Sequence, residues 1–155
     1  MSSKVPVTHI DVRVFAHATE DEEKVLSAVR NTLPPQVSEN IVFKKSNLSG
    51  HHGNPITLFE AKIKEKEHVK AFLERLASSL STLEKEILGS EIEQHIEKGC
   101  LYIRLDKQAA YLNEFRLGAT DPIHFKIHFK KSNLKEIVEV CRGIGIIPWG
   151  EFSPT

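Results

Sequence analysis

The chain has 155 residues, and its 21 lysines and arginines balance its 21 aspartates and glutamates, so the formal net charge is zero. A chain of this length most economically forms one domain, expected over 1–155 with a core over 7–144 and a tail after it. Zero net charge argues against a protein coated in nucleic acid, although it leaves room for a local basic face. Cys100 and Cys141 are too few and too far apart for a disulfide framework or a metal site, which favours a reducing compartment. Because the N-terminus lacks a signal-peptide core and no apolar run could span a membrane, we expect a cytoplasmic protein without a membrane partner.

The first segment of the chain alternates apolar and polar residues, which predicts a strand from Val7 to Ala18. Its polar face carries Arg13. Its apolar face is formed by Ile10, Val12, Val14 and Ala16. Thr19 and Glu22 have the spacing of a capping box, so we expect a helix that begins there and runs to about Thr32.

A hairpin and two helices are predicted for the middle of the chain. Ile41 to Asn47 and Ile56 to Lys64 have the composition of strands, and the glycine-rich segment Gly50 to Pro55 between them predicts the turn. Helical spacing of apolar residues follows over 65–80. A second capping box, at Ser81, opens a helix that we expect to reach about Ile96.

The strand that organises this prediction runs from Leu101 to Leu105, where apolar and polar residues alternate. Asp106 follows it as the N-cap of a short helix. Ile123 to Lys130 alternates in the same way, and Ser132 or Asn133 can cap a last helix. Strands of this kind need one covered face and one wet face. The sequence therefore predicts an α+β fold of two layers, a mostly antiparallel sheet with helices packed on one face.

The junction of the Leu101–Leu105 strand with the next helix is a candidate anion site. Arg104, Lys107 and Gln108 surround the exposed amides of the helix N-terminus, and the helix dipole also favours an anion there. An ordinary strand edge followed by a capped helix explains the same residues equally well.

The polar faces of the predicted strands together form a cationic surface with interspersed rings. Its residues are Arg13, Lys62, Tyr102, Arg104, His124, Lys126 and His128. Such a surface suits phosphate contacts combined with base stacking, as in RNA-binding sheets. Strands also carry outward lysines and arginines for solubility and to prevent edge pairing, which explains the pattern without a ligand.

The loop Gly50-His51-His52-Gly53-Asn54 is richer than a two-residue hairpin turn requires. Its glycines let the backbone approach a ligand, and its imidazoles and amide offer donors and stacking planes. Adjacent histidines lack the usual metal-ligand spacing, so we expect no metal here. The chain has no nucleophile motif, phosphate loop or paired-carboxylate signature, which argues against an enzyme.

Two segments, Gly50 to Ile56 and Leu101 to Ala110, together resemble a family of archaeal predicted RNA-binding proteins described as exosome-associated subunits. The segment His17 to Val25 fits the same pattern, and the similarity covers roughly 8–130. The resemblance implies a fold similar to that of the ribosomal protein that binds 5S RNA, with RNA as the partner and no catalytic residues or cofactor. Asn113 departs from the glycine common at this place in the family, and the tail after Lys130 carries no family motif.

The sequence therefore favours a non-catalytic RNA-binding protein in archaeal RNA processing or exosome-related work. The predicted RNA contacts are Arg104, Lys107, Gln108, Gly50, His51, His52, Gly53, Asn54, Arg13 and Lys126. One alternative is a protein-interaction module, a homodimer or a complex subunit. It would use an apolar patch drawn from Phe15, Leu58, Trp149 and Phe152. The other alternative is a metal-dependent hydrolase or nuclease that uses His51 or His52.

Overall fold

The computed structural model describes residues 6–50, 53–130 and 133–149, and it confirms the predicted α+β class. One layer is an antiparallel sheet and the other is made of helices. In chain order the described elements are β1 (Val7–His17), α1 (Glu22–Asn31), α2 (Pro35–Ser38), β2 (Lys44–Ser49), β3 (Pro55–Ile63), α3 (Lys66–Ser79), α4 (Thr82–Ser90), β4 (Ile96–Glu97), β5 (Cys100–Leu105), α5 (Lys107–Tyr111), β6 (Ile123–Phe129) and α6 (Leu134–Ile144), with a 3₁₀ turn at Ile92–His95.

The strands lie in the order β2-β3-β1-β6-β5-β4, and every neighbouring pair is antiparallel. β2 and β3 form the predicted hairpin. β1 and β6 occupy the centre of the sheet, whereas β5 lies one position from the edge beside the two-residue strand β4. β1 and β6 therefore contribute side chains to the middle of both faces of the sheet.

One face of the sheet packs against the helices and forms the core. The predicted apolar residues of β1 lie on this face and are almost fully buried, as are their counterparts on β5 and β6: Ile10, Val12, Val14, Ala16, Leu101, Ile103, Leu105, Ile123, Phe125 and Ile127. Phe72 of α3 stacks on Phe125, with the ring centroids 5.0 Å apart. The alternation thus fixes which side chains remain on the opposite face.

Helix α1 begins later than the predicted capping box. Asp21 is its N-cap, because the carboxylate accepts a hydrogen bond from the Glu23 amide at 2.9 Å. Thr19 lies in the preceding turn, and the Glu20 carboxylate accepts from the His17 amide at 2.9 Å. The prediction of Thr19 as the cap is therefore wrong, while the end of the helix near residue 32 is confirmed.

The other predicted caps are confirmed. Ser81 accepts from the Glu84 amide at 3.1 Å, and Asp106 accepts from the Ala109 amide at 2.8 Å. Asn133 forms a full capping box at the start of α6. It is one of the two residues predicted as the cap of this helix. In each case the side-chain oxygen satisfies an amide that has no partner within the helix.

Two further boundaries differ from the predictions. β2 begins at Lys44 rather than Ile41, and α4 ends at Ser90 instead of continuing to about Ile96. The 3₁₀ turn and β4 occupy the remaining residues before β5. Trp149, a candidate for the apolar interaction patch, is 66% exposed, and Phe152 lies outside the described residues.

Of the helices in the described part of the chain, none combines the length and hydrophobicity needed to span a bilayer.

Candidate nucleic-acid interface

The face of the sheet opposite the core carries two rows of mostly polar side chains that cross the strands. Residues paired directly across antiparallel strands point to the same side, so the register defines each row. The first row is Lys44, Glu60, Arg13, His124 and Arg104, on β2, β3, β1, β6 and β5. The second row is Lys62, Asp11, Lys126 and Tyr102, on β3, β1, β6 and β5. We call these nine residues the open face.

The open face lines a groove of about 660 Å³ in which basic residues outnumber acidic ones. Its cations are Lys44, Arg13, Arg104, Lys62 and Lys126, against the two acids Glu60 and Asp11. The Lys62 ammonium lies 3.7 Å from one Asp11 oxygen, and the Lys126 ammonium lies 5.6 Å from the centre of the Tyr102 ring. A chain of zero net charge thus concentrates positive charge and an accessible ring on one surface, an arrangement that attracts phosphate groups.

His124 lies between two arginines in the first row, since it pairs with Arg13 on one side and with Arg104 on the other. Burial and the positive charge of both guanidinium groups hold the pKa of His124 below 6.5, and the nearby carboxylate of Asp121 opposes this shift. Its imidazole therefore remains neutral to lower pH than an ordinary histidine.

Acidification is expected to destabilise the fold through His124. Between the ordinary pKa of 6.5 and the lowered pKa of the folded state, the unfolded chain binds a proton that the folded chain does not. This contribution to stability is complete above 6.5 and is lost as the pH falls below it. Urea unfolding over a pH series should show that the free energy of unfolding falls less on acidification in His124→Gln than in the wild type. Identical pH profiles for the two proteins would contradict this role.

The predicted anion-binding corner is not formed as expected. Lys107 is buried, and its ammonium lies 2.7 Å from Asp121 and 3.1 Å from both Glu20 oxygens. It also donates to the Phe15 carbonyl at 2.8 Å. Because two carboxylates already neutralise this cation, these contacts support a structural role for Lys107, and its predicted contact with phosphate stays a prediction.

The other two residues of the corner point to different surfaces. Arg104 belongs to the open face, whereas Gln108 lines a separate groove between α1 and α5 together with Lys24 and Tyr111. The helix that follows Arg104 is only five residues long, and Asp106 already caps it. The structure thus keeps Arg104 as a candidate contact with Arg13 and Lys126, and it does not bring Gln108 to them.

The glycine-rich loop connects β2 to β3 at one end of the sheet. The Gly50 amide donates to the Asn54 carbonyl at 2.7 Å, and Gly53 adopts a positive φ of 74° that favours glycine. His51 and His52 lie outside the described residues. The predicted contacts of this loop with RNA therefore remain predictions.

Lys44 and Glu60 belong to the open face, although the sequence analysis did not include them. The hairpin register pairs these two residues and thereby extends the first row to the sheet edge. The signal was present in the alternation of β3, where Glu60 shares a face with Lys62. Lys44 lies within the predicted second strand, and only the hairpin register shows that it shares a face with Glu60.

The fold and this surface define a class of protein: a two-layer α+β domain whose antiparallel sheet presents an uncovered cationic face. Residues 9–129 match a protein family described as RNA binding. The chain belongs to this RNA-binding family, which confirms the resemblance seen in the two sequence motifs.

The similarity to individual members extends over most of the chain. An RNA-binding protein of Pyrococcus abyssi is 37% identical over 139 residues, which cover 88% of this chain and 90% of that protein. The crystal structure of a DUF54 protein from Archaeoglobus fulgidus has a TM-score of 0.77 and 30% identity, covering 89% of this chain and 99% of the other. A DUF54 protein from Methanothermobacter thermautotrophicus has a TM-score of 0.73 and 28% identity, covering 92% and 98%.

Proposed function

We propose that this protein binds RNA through the open face of its sheet and catalyses no reaction on it. The observation that carries the proposal is the first row, in which Arg13 and Arg104 flank His124 across three adjacent strands. Guanidinium groups on a rigid sheet match the geometry of phosphate oxygens, and the neighbouring Tyr102 ring offers a plane for base stacking.

Membership of an RNA-binding family supports the class of ligand, and the charge of the open face supports its location. In this proposal Lys126 extends the phosphate track in the second row. The loop from Gly50 to Asn54 adds backbone contacts at the end of the sheet. We further propose that the chain acts as a single domain in the cytoplasm, in archaeal RNA processing or exosome-related work.

Lys126→Ala is expected to weaken binding to labelled RNA about equally for different sequences, because a phosphate contact does not distinguish bases. The plot of log affinity against log salt should become shallower by about one. Fluorescence anisotropy with single- and double-stranded RNA at several salt concentrations measures both quantities. Electrophoresis of the same RNA after incubation checks that it stays intact.

The matched control is Lys70→Ala, which removes the same charge from an exposed position of α3 in the helical layer. It should keep the wild-type affinity and salt dependence. If the wild type does not bind RNA even at low salt, or if both variants lose affinity equally, the open face is not the binding surface. Cleavage of the RNA would contradict the non-catalytic assignment.

A further inference from the structure

Three side chains of types that bind metals meet at the second row of the open face, to which one of them, Asp11, belongs. His9 and Asp11 lie on β1, and His128 lies on the neighbouring strand β6. The Nε2 atom of His128 is 2.8 Å from Oδ2 of Asp11, and the Nε2 atom of His9 is 3.8 Å from the same oxygen. The two imidazole rings stack with their centroids 4.0 Å apart. Two imidazole nitrogens therefore lie within 3.8 Å of one carboxylate oxygen.

The outer nitrogens of both rings already have partners. Nδ1 of His9 lies 3.1 Å from the Thr8 hydroxyl, and Nδ1 of His128 lies 3.4 Å from the Cys100 sulfur. Metal-binding histidines in proteins characteristically use one ring nitrogen for the ion and hold the other in a hydrogen bond that fixes the ring. The rings of His9 and His128 are held in this way, with both Nε2 atoms directed at Asp11.

The register of β1 and β6 produces this convergence, because it places His9 opposite His128 and two residues from Asp11 on the same face. Val7 pairs with Phe129 but His9 pairs with His128, so β1 contains one extra residue at Thr8. Such a bulge changes the direction of neighbouring side chains. It returns Val7 to the core beyond the pair of His9 and His128, which lies on the wet face.

The described residues contain a second group of possible ligands, which differs in already having a buried cation: His17, Glu20 and Asp121. The buried ammonium of Lys107 lies against both of its carboxylates and supplies the positive charge there. At the first group the nearest ammonium belongs to Lys62, and it lies 3.7 Å from Oδ1 of Asp11. The Oδ2 atom faces the two histidines.

We propose that His9, Asp11 and His128 bind one divalent transition-metal ion such as Zn²⁺ through Nε2, Oδ2 and Nε2. Two imidazoles and one carboxylate suit zinc, which binds such ligands at about 2.0–2.2 Å and keeps water in a fourth position when the protein supplies three. A ligating Nε2 must be unprotonated, so the neutral His128 ring carries its one proton on Nδ1, toward Cys100, and any further proton displaced by the ion passes to solvent water. The ion adds positive charge at the edge of the open face.

Isothermal titration of ZnCl₂ into the full chain, without RNA, tests the site. We expect one equivalent to bind the wild type. His9→Ala and His128→Ala should each lower the zinc affinity more than about 100-fold, since even loss of an outer partner typically costs 10–100-fold. Cys100→Ser changes only the partner of His128 Nδ1, so it should lower the zinc affinity by about 10–100-fold. Zinc should also raise the melting temperature of the wild type but not that of His128→Ala.

The matched control is His124→Ala, which removes an imidazole from the same strand and the same face but outside the cluster. It should bind zinc like the wild type, as should His51→Ala/His52→Ala. The proposal is overturned if the wild type binds no zinc. It is equally overturned if zinc binding survives in both His9→Ala and His128→Ala, or is lost in His51→Ala/His52→Ala. Because no RNA is present, this outcome is independent of whether the chain binds RNA.

Discussion

Replacing Arg13 and Arg104 together with alanine is expected to weaken RNA binding roughly 100-fold at low salt. Each guanidinium that holds a phosphate through charge-assisted hydrogen bonds contributes about 1.5 kcal/mol, or about tenfold in affinity. The two arginines lie on β1 and β5 and flank the same strand, so one stretch of RNA backbone can contact both. For single-stranded RNA the slope of log affinity against log salt should fall by about 1.4, or 0.7 for each lost contact.

Two further variants separate local contacts from net charge. Lys24→Ala/Lys70→Ala removes the same two charges from exposed positions of α1 and α3, and it should leave both affinity and salt slope near those of the wild type. Arg13→Lys/Arg104→Lys keeps the charge but loses the paired donors of the guanidinium. It should retain the salt slope and lose part of the affinity. Equal losses in the helical and open-face variants would show that binding follows net charge alone.

The sequence was sufficient to predict which side chains of β1, β5 and β6 lie on the side of the sheet away from the core, because a strand alternates its side chains with a period of two. In β1, β5 and β6 the apolar residues are buried, apart from the half-buried Phe15 and Phe129, and the polar ones are not. What it could not predict is the order of the strands. β1 pairs with both β3 and β6, which lie far from each other in the chain, and only that order places Arg13, His124 and Arg104 in one row.

Lys107 shows the limit of local patterns more clearly. Beside a strand end and a helix start, a lysine is normally expected to be exposed, and its neighbours in sequence give no reason for burial. Its partners are Glu20 and Asp121, which are 87 and 14 residues away. The cluster of His9, Asp11 and His128 has the same origin, because the hydrogen bond from His128 to Asp11 spans 117 residues. Contacts of this kind follow from the folded topology.

Lys107→Met is expected to lower the free energy of unfolding by about 3 kcal/mol, a large part of the stability of an ordinary domain. The ammonium is nearly buried, and its removal leaves the carboxylates of Glu20 and Asp121 close together without the lysine that contacts both. Loss of one partner from a fully buried pair costs roughly 3–5 kcal/mol. The lower end applies because both acids keep about a third of their side-chain surface exposed, 32% and 33%. Urea unfolding measures the change.

The control is Lys62→Met, the same substitution in a pair with Asp11 where the lysine side chain is 50% exposed. An exposed pair contributes about 0–1 kcal/mol, so this variant should be nearly as stable as the wild type. Adding Asp121→Asn to Lys107→Met should restore part of the lost stability, because it removes one of the two unpaired charges. At temperatures where Lys107→Met remains folded, its salt slope for RNA binding should equal that of the wild type. A stable Lys107→Met protein with a slope reduced by about one would instead make Lys107 a phosphate contact, as its position beside the helix start predicts.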